Sequence, residues 1–321
     1  MNHVALCFTD TTGTYYKHAL VAALSILDNT QKPLCLHLIH DDTLSGDAAA
    51  RFTDVCGQYG QKICFYHAQD IPDATVGNVI SKLSKGALYR TMLPKLLDVD
   101  TVLYFDCDTV CLAEIDDIFE LDVTQHYLGA VVMDAEQGRS WASKLRLTCG
   151  FCINTGVLLM NLRKIRNDMP DYTEKLFSVV ERFPGKIGDQ GAVNILFDKT
   201  PGAYLFFPEF CNFRTEHEDH SVLPLREYYG KVIHFAGKKP WQVFTLPSLF
   251  YWKYYARLFP EEDVFAMMEK LDPYEYAYLF SFILQDDRRR RKVRRWHDFV
   301  VKGLWKTLQQ KVRRGTKLLV L

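Results

Sequence analysis

Short apolar runs alternate with helical patterns along the first 70 residues of the chain. The apolar run at 4–8 predicts a buried strand, and the Ala- and Leu-rich stretch at 18–27 predicts a helix. Two further strands are predicted at 34–40 and 62–67, with a helix at 47–59 between them. Strand–helix alternation of this kind predicts βαβ units and a mostly parallel α/β sheet, in which ligands bind at the carboxyl ends of the strands.

The middle of the chain continues this pattern, whereas the C-terminal part does not. A helical segment at 85–97 leads into the clearest central strand, at 101–105. The other predicted elements are strands at 128–133, 153–159 and 231–235 and helices at 171–182 and 190–197. From residue 245 to residue 285 the chain is rich in aromatic residues and helical in pattern. We therefore expect a domain of residues 1–244 followed by a helical C-terminal region of residues 245–321.

The composition is that of a folded protein in a reducing compartment. Hydrophobic residues make up 48 % of the 321 residues, which excludes wholesale disorder. No stretch reaches the roughly 18 apolar residues of a membrane span, and the first residues lack the charged and apolar regions of a signal peptide. Nine cysteines without the paired spacing of a disulfide framework favour a cytoplasmic location.

Charge is distributed unevenly, although the formal net charge is zero. From Arg288 onward there are 13 basic residues and one acid, a net charge of about +12, so the rest of the chain is acidic. On a helix, Trp296 and Leu304 would share an apolar face opposite Lys302 and Lys306. This pattern favours association with an anionic membrane surface. An amphipathic helix docked on the protein body is the alternative, and nucleic-acid binding is not expected because no nucleic-acid module is found.

Two aspartates directly follow the apolar strand at 101–105. In an extended chain the carboxylates of Asp106 and Asp108 point to one side, so both can bind one hard divalent cation. Such a cation would hold a diphosphate and neutralise the charge that develops when the diphosphate leaves. Asp98 and Asp100 have the same spacing a few residues earlier, and a solvated turn is the alternative interpretation.

The same aspartates also match a second class of enzyme. Haloacid-dehalogenase-type phosphatases place a DxDxT motif after an apolar strand, as at 106–109, and Asp106 would then be the nucleophile. The segment at 188–194 resembles the later GDxxxD motif of these phosphatases, with Asn194 at the last position. In those enzymes the first motif opens the fold, whereas about a hundred residues precede it here.

Five short segments carry a resemblance to a known family. They lie at 89–90, 103–108, 154–162, 188–190 and 234–241. Their order and spacing resemble those of retaining glycosyltransferases of family 8, in particular bacterial lipopolysaccharide galactosyl- and glucosyltransferases. The resemblance implies a GT-A fold with a Rossmann-like mixed sheet. It also implies the transfer of galactose or glucose from a UDP-sugar to a saccharide acceptor, with retention of configuration.

The resemblance implies a site for the nucleotide and for a metal ion. Asp10 matches the acid that reads uracil, although the residues that follow differ from the family's Asp-Asp-Asn-Tyr motif. Tyr15 is a candidate for stacking on the base, and Thr11 and Thr12 lie between them. Arg90 matches the arginine that reaches the donor sugar and phosphates. The implied ligands of Mn²⁺ or Mg²⁺ are Asp106, Asp108 and His234, with Cys107 as a further donor-binding residue.

Residues for the transferred sugar and the leaving diphosphate are implied in the same way. Gly237 matches the diphosphate-binding glycine, with either Lys238 or Lys239 as its partner. The positions around the sugar correspond to Asp134, Asn154 and Thr155 and to the catalytic candidates Asp189 and Gln190. Because an amide is a poor nucleophile, Gln190 favours attack of the acceptor on the face from which UDP leaves, over a covalent double displacement.

Together with the basic tail, the resemblance implies a peripheral protein on the inner face of the cell membrane. Its partners would be a UDP-sugar and a saccharide or lipid-linked glycan, in the synthesis of lipopolysaccharide or another cell-surface glycan. A non-catalytic, membrane-associated nucleotide-sugar-binding protein is the remaining alternative. The full set of candidate site residues disfavours it.

Overall fold

The computed structural model describes residues 1–68, 85–183, 185–216, 223–268 and 270–273. The chain divides into two compact units. The first contains residues 1–213 and 230–234, and the second contains residues 214–229 and those from 235 onward. The domain division at residue 244 stays a prediction, and the basic tail from Arg288 lies outside the described residues.

A seven-stranded sheet forms the centre of the first unit. In spatial order its strands are β3 (Lys62–His67), β2 (Leu34–His40), β1 (Asn2–Cys7), β4 (Thr101–Phe105), β7 (Ile153–Asn161), β6 (Leu128–Val132) and β8 (Tyr204–Phe206). Neighbouring strands are parallel, except that β7 runs antiparallel to both β4 and β6. The mixed Rossmann-like sheet implied by the family resemblance is therefore confirmed.

The local sequence explains where several helices begin and end. The α-helices described in this unit are α1 (Tyr15–Asp28), α2 (Gly46–Gln58), α3 (Lys85–Leu88), α4 (Leu93–Leu96), α5 (Asp116–Phe119), α6 (Ala135–Leu145), α7 (Leu162–Asp168), α8 (Tyr172–Arg182) and α9 (Asp189–Phe197). Ser45 caps α2, and Asp134 caps α6 by accepting from two backbone N–H groups. The helix predicted at 85–97 is instead broken into α3, a 3-10 turn (Tyr89–Met92) and α4. Pro94 explains the break because it has no N–H for the carbonyl one turn earlier.

One buried cluster of the first unit packs the sheet against helices α8 and α9. Met160 of β7 belongs to the same buried cluster as Leu176 of α8 and Phe197 of α9. Burying an apolar side chain of this size stabilises the fold by about 1.5–3 kcal/mol. Every residue of β7 is buried, including the polar Asn154 and Thr155. Buried polar groups require hydrogen-bond partners, so these two residues indicate where a polar site lies.

A short strand pair brings a distant segment to the carboxyl end of β4. β5 (Thr109–Cys111) follows the aspartate pair and runs antiparallel to β10 (Val232–His234), with His234 opposite Thr109. The strand predicted at 231–235 is therefore found. Its partner β5 was not predicted, because three residues are too few for a periodic pattern. β9 (Phe213–Arg214) lies where the first unit gives way to the second.

Aromatic residues form the core of the second unit. Its described elements include a 3-10 helix (Leu225–Tyr228), the helices α10 (Ser248–Leu258) and α11 (Val264–Met268), and the parallel pair β11 (Val243–Phe244) and β12 (Asp272–Pro273). Tyr251 and Trp252 are buried, and Nε1 of Trp252 donates to the carbonyl of Pro240 at 3.2 Å. Over the described part of the chain, no helix combines the length and the apolarity that a membrane span requires.

Candidate active site

The aspartate pair lies at the carboxyl end of β4, the central strand of the sheet. The backbone N–H of Asp106 donates to the carbonyl of Gly156 at 2.7 Å, which extends the pairing of β4 with β7 by one residue. The hydroxyl of Thr109 donates to the carbonyl of Asp106 at 2.8 Å and closes a turn. Asp108 lies inside this turn and is 8 % exposed. Both carboxylates are therefore at the sheet edge where ligands bind in α/β folds.

His234 joins the two aspartates. One ligand atom from each of Asp106, Asp108 and His234 lies within 4.8 Å of the others. Nε2 of His234 is 3.6 Å from Oδ2 of Asp106 and 3.4 Å from Oδ1 of Asp108. Carboxylate oxygens suit Mg²⁺ and Mn²⁺, and an imidazole nitrogen completes a common set of ligands. The donor chemistry of this cluster fits a divalent cation.

Gly156 provides the space in which these side chains meet. A Cβ at this position would lie 2.1 Å from Cε1 of His234 and 2.9 Å from Oδ2 of Asp106. Real Cβ atoms essentially never approach another atom so closely, so residue 156 must be glycine for the cluster to assemble. No local pattern indicates this role, since both neighbours are distant from Gly156 in the chain.

Arg90 belongs to a buried charge network behind Asp106. Its Nη2 is 2.9 Å from Oδ1 of Asp106, its Nε is 2.7 Å from Oδ2 of Asp189, and its Nη1 donates to the carbonyl of Thr155. Burial lowers the pKa of Arg90, but the two carboxylates outweigh this effect and hold the pKa well above its ordinary value. The hydroxyl of Tyr104 also donates to Oδ1 of Asp106, at 2.6 Å. Because Oδ1 is bonded twice, Asp106 presents Oδ2 to His234.

The buried polar residues of β7 have their partners on α9. Nδ2 of Asn154 donates to Oε1 of Gln190 at 3.0 Å, and the N–H of Thr155 donates to the same oxygen at 3.3 Å. Asp189, the first residue of α9, is 2 % exposed and forms an ion pair with Arg90. The structure therefore joins four sugar-site candidates to the metal-site candidates in one connected network; the four are Asn154, Thr155, Asp189 and Gln190. Their individual roles stay predictions.

The residues predicted to read the nucleotide follow β1, which is the neighbour of β4. Oδ1 of Asp10 accepts from the N–H of Tyr15 at 2.6 Å, at the start of α1. Asp10 is buried, and burial raises its pKa against the opposing effect of backbone N–H groups. Thr11 and Thr12 are exposed, in a turn closed by the N–H of Gly13, which donates to the carbonyl of Asp10 at 2.9 Å. Asp10 therefore also holds the loop in which these candidates lie.

Two other predicted positions in the first unit have structural contacts of their own. Asp134 accepts from the backbone N–H groups of Glu136 and Gln137, at 3.1 and 2.9 Å, and is half-buried. Cys107 is 5 % exposed, and its thiol donates to the carbonyl of Cys7 at 3.5 Å. The side chain of Cys107 thus packs against β1.

The predicted diphosphate loop belongs to the second unit. Nζ of Lys239 donates to the carbonyl of Phe235 at 2.9 Å, and Lys238 is exposed. A Cβ at Gly237 would lie 3.3 Å from Cβ of Glu216, so the glycine also allows close packing within this unit. Both Lys238 and Lys239 therefore remain candidates for binding the diphosphate.

Comparison with protein families identifies the class of enzyme. The family model described as glycosyl transferase family 8 matches residues 3–244, which include every site residue named above. The chain belongs to glycosyl transferase family 8. The match covers the hundred or so residues before Asp106 that a phosphatase leaves unexplained. Neither the phosphatase nor the non-catalytic alternative is supported.

Relatives of this family 8 glycosyltransferase occur in bacteria and animals. General stress protein A of Bacillus subtilis (strain 168) is 25 % identical over 255 residues, which are 74 % of this chain and 87 % of that protein. Glucoside xylosyltransferase 2 of Mus musculus is 29 % identical over 228 residues, 64 % of this chain and 50 % of the relative. The chain thus spans half the length of the mouse protein.

A solved structure of the family shares the fold. The galactosyltransferase LgtC, in complex with donor and acceptor sugar analogues, aligns with a TM-score of 0.66 at 22 % sequence identity. The alignment covers 79 % of this chain and 95 % of LgtC. The predicted GT-A fold is confirmed.

Sequence reasoning missed Asn212, which contacts His234 and Asn154 inside the site. Its Oδ1 is 2.8 Å from Nδ1 of His234, and its Nδ2 donates to Oδ1 of Asn154 at 2.7 Å. Asn212 ends a four-residue 3-10 helix (Glu209–Asn212), which has no periodic signal. The residue does not belong to any of the five segments that carried the family resemblance.

Proposed function

We propose that this chain transfers galactose or glucose from a UDP-sugar to a saccharide acceptor, with retention of configuration and with a divalent metal ion. The observation that supports the proposal most strongly is the meeting of Asp106, Asp108 and His234 at the carboxyl end of β4. Membership of family 8 supports glycosyl transfer. The sugar analogues bound to LgtC, which has the same fold, support a nucleotide-sugar donor and a saccharide acceptor.

In this proposal Asp106, Asp108 and His234 hold the cation, which when bound neutralises the charge of the leaving diphosphate. Arg90 and Tyr104 keep Oδ2 of Asp106 turned toward the cation site. The imidazole ligand favours Mn²⁺ over Mg²⁺, because nitrogen is a softer donor than oxygen. Gly237 lets the backbone approach the diphosphate, and either Lys238 or Lys239 supplies a positive charge to it.

Separate groups of residues bind the nucleoside and the sugar. The carboxylate of Asp10 reads the uracil edge, Tyr15 stacks on the base, and the exposed loop adds the hydroxyls of Thr11 and Thr12. The backbone at Cys107 lies between the two metal ligands. The hydroxyls of the hexose are bound by the polar side chains of Asp134, Asn154, Thr155, Asp189 and Gln190.

Retention is what the family resemblance implies, and Gln190 disfavours a covalent double displacement as its route. An amide oxygen is a weak nucleophile, and Oε1 of Gln190 already accepts from Asn154 and Thr155. The acceptor hydroxyl therefore attacks the anomeric carbon on the face from which UDP departs. Its proton goes to an oxygen of the leaving phosphate.

Hydrolysis of UDP-sugars in the absence of acceptor tests the donor and the metal together. We expect UDP release from UDP-galactose or UDP-glucose in Mn²⁺, and its loss when the metal is chelated. Turnover of UDP-xylose alone would show that the transferred sugar is a pentose and not a hexose. Phosphate release from simple phosphate esters, without affinity for UDP, would overturn the proposal.

The acceptor is proposed to be lipopolysaccharide or another lipid-linked glycan at the inner face of the membrane. The basic tail supports this location, since each basic residue near an anionic surface contributes about 1 kcal/mol of attraction. Removing residues 286–321 should release the protein from acidic vesicles and preserve UDP-sugar hydrolysis. Loss of the fold on truncation, without vesicle binding by the full chain, would show instead that the tail docks on the protein.

A further inference from the structure

Asn212 connects the histidine of the metal cluster to the amide pair of the sugar site. It is 1 % exposed, and it bonds to His234 through Oδ1 and to Asn154 through Nδ2. Asn154 in turn donates to Gln190. His234, Asn212, Asn154 and Gln190 therefore form one hydrogen-bonded chain, which we name the amide chain. It runs from the proposed metal site to the proposed sugar site.

Backbone N–H groups fix the direction of each bond in the amide chain, because a backbone N–H can only donate. The N–H of Gly156 donates to Oδ1 of Asn154 at 2.9 Å, so this atom is the amide oxygen. The same oxygen must receive Nδ2 of Asn212, which turns Oδ1 of Asn212 toward His234. Since that oxygen can only accept, Nδ1 of His234 carries the proton.

This tautomer places a lone pair on Nε2 of His234. Nε2 is the ring nitrogen that lies 3.4 Å from Asp108 and 3.6 Å from Asp106. In the opposite tautomer an N–H would point at the two carboxylates and occupy the place of a cation. The ring of His234 is 3 % exposed, so solvent offers no ready substitute for Asn212 at Nδ1.

We propose that Asn212 is a positioning residue, which holds His234 in the metal-binding tautomer and couples the metal site to Gln190. The inference rests on the proposed function, since it takes Asp106, Asp108 and His234 as ligands of a divalent cation. Removing the hydrogen-bond partner of a metal-ligating histidine typically lowers metal affinity about 10- to 100-fold.

Two substitutions at this position separate the two bonds, and a third serves as the control. Asn212→Leu keeps the branching of the side chain at Cγ and removes both bonds, whereas Asn212→Asp keeps an acceptor for His234 and loses the donor to Asn154. Asn161→Leu is the matched control. Asn161 is also buried, its Nδ2 donates to the carbonyl of Val123 at 3.0 Å, and it lies at the other end of β7.

Binding of Mn²⁺ by the full chain, measured from the EPR signal of free Mn²⁺ with and without UDP, is the first readout. We expect the affinity to fall about 10- to 100-fold in Asn212→Leu and to change less than about threefold in Asn212→Asp and Asn161→Leu. In Asn212→Asp, kcat for UDP-sugar hydrolysis should still fall about tenfold, because Asn154 loses its donor. A folded Asn212→Leu variant that binds Mn²⁺ like the native chain would overturn the inference.

An NMR measurement on the native chain keeps the inference testable if Asn212→Leu does not fold. Long-range ¹H–¹⁵N spectra without metal report which ring nitrogen of each histidine carries a proton, and His234→Gln assigns the signal. We expect a proton on Nδ1 of His234, and an Nδ1 without a proton would overturn the inference.

The proposed metal site and the inference about Asn212 can be tested separately. Mn²⁺ binding that is lost in Asp108→Asn supports the proposed metal site, whatever the result at Asn212. Failure of the native chain to bind Mn²⁺ in either condition would overturn the metal site and the inference together.

Discussion

Two groups of candidate metal ligands lie toward opposite ends of the same sheet. Asp106, Asp108 and His234 meet at the carboxyl end of β4, whereas His3, Cys35 and His37 lie on β1 and β2, with His3 near the amino end of β1. Ligand atoms converge within 4.8 Å in both groups. In the second group, however, Nδ1 of His3 bonds to Nε2 of His37 at 2.9 Å, and Nδ1 of His37 lies 3.1 Å from the Tyr66 hydroxyl.

The two groups differ in charge and in the direction of their lone pairs. Burial lowers the pKa of His37 to about 4 and raises the pKa of the Cys35 thiol to about 12, so both are neutral at neutral pH. The cluster at β4 instead carries two carboxylates, and the imidazole of His234 faces them. Proximity of ligand types is therefore weak support for a metal site, and convergence of charge and lone pairs is strong support.

Asp108→Asn should separate the two groups most strongly. The amide keeps the volume and removes one charge, so the neutralisation of the leaving diphosphate, worth several kcal/mol, is lost. We expect UDP-sugar hydrolysis to fall at least about 1,000-fold while the fold is retained. Cys35→Ser is the control in the other group and should keep both activity and Mn²⁺ affinity. Similar losses of activity and of Mn²⁺ affinity in the two variants would contradict the difference between the two groups.

Gly156→Ala tests the packing that the cluster at β4 requires. Its Cβ would lie 2.1 Å from the ring of His234, so two ligands must shift. We expect hydrolysis to fall at least about 100-fold and Mn²⁺ to bind more weakly. The control is Gly57→Ala in α2, where nothing lies within 4 Å of the new Cβ. It should keep activity and raise the free energy of unfolding by up to about 1 kcal/mol. Native activity in Gly156→Ala would contradict the described geometry.

The pH dependence of stability tests the neutral character of the His37 group. The pKa of His37 is about 4 in the folded chain and 6.5 ordinarily, so the unfolded chain binds more protons between these values. Stability from this residue is therefore present above pH 6.5 and is lost as the pH falls toward 4, by up to about 3 kcal/mol. Urea unfolding of the native chain and of His37→Gln measures this contribution. The difference between their free energies of unfolding should shift by that amount between these pH values, and a constant difference would contradict the assignment.

Elements with a continuous pattern along the chain could be predicted from the sequence. The structure shows β2, β3 and β4 with the predicted bounds, because each is an apolar or alternating run closed by turn residues. Asp106 and Asp108 were found because they directly follow such a strand. Helix α6 was missed, although Asp134 and Gln137 have the spacing of a capping box before it.

Contacts between distant segments were not predictable from local pattern. Asn212 is 22 residues from His234 and 58 residues from Asn154 in the chain. Gly156 likewise has its role only because β10 brings His234 beside it. Periodicity and short motifs identify which residues can do chemistry, and the fold decides which of them are held by which partners.

Anomalous diffraction from crystals grown with Mn²⁺ and UDP tests the central claim most directly, namely that a divalent cation binds at Asp106, Asp108 and His234. We predict a strong anomalous peak among these three side chains and none among His3, Cys35 and His37. A peak at the second group, or bound UDP without a metal peak at the first, would contradict the claim.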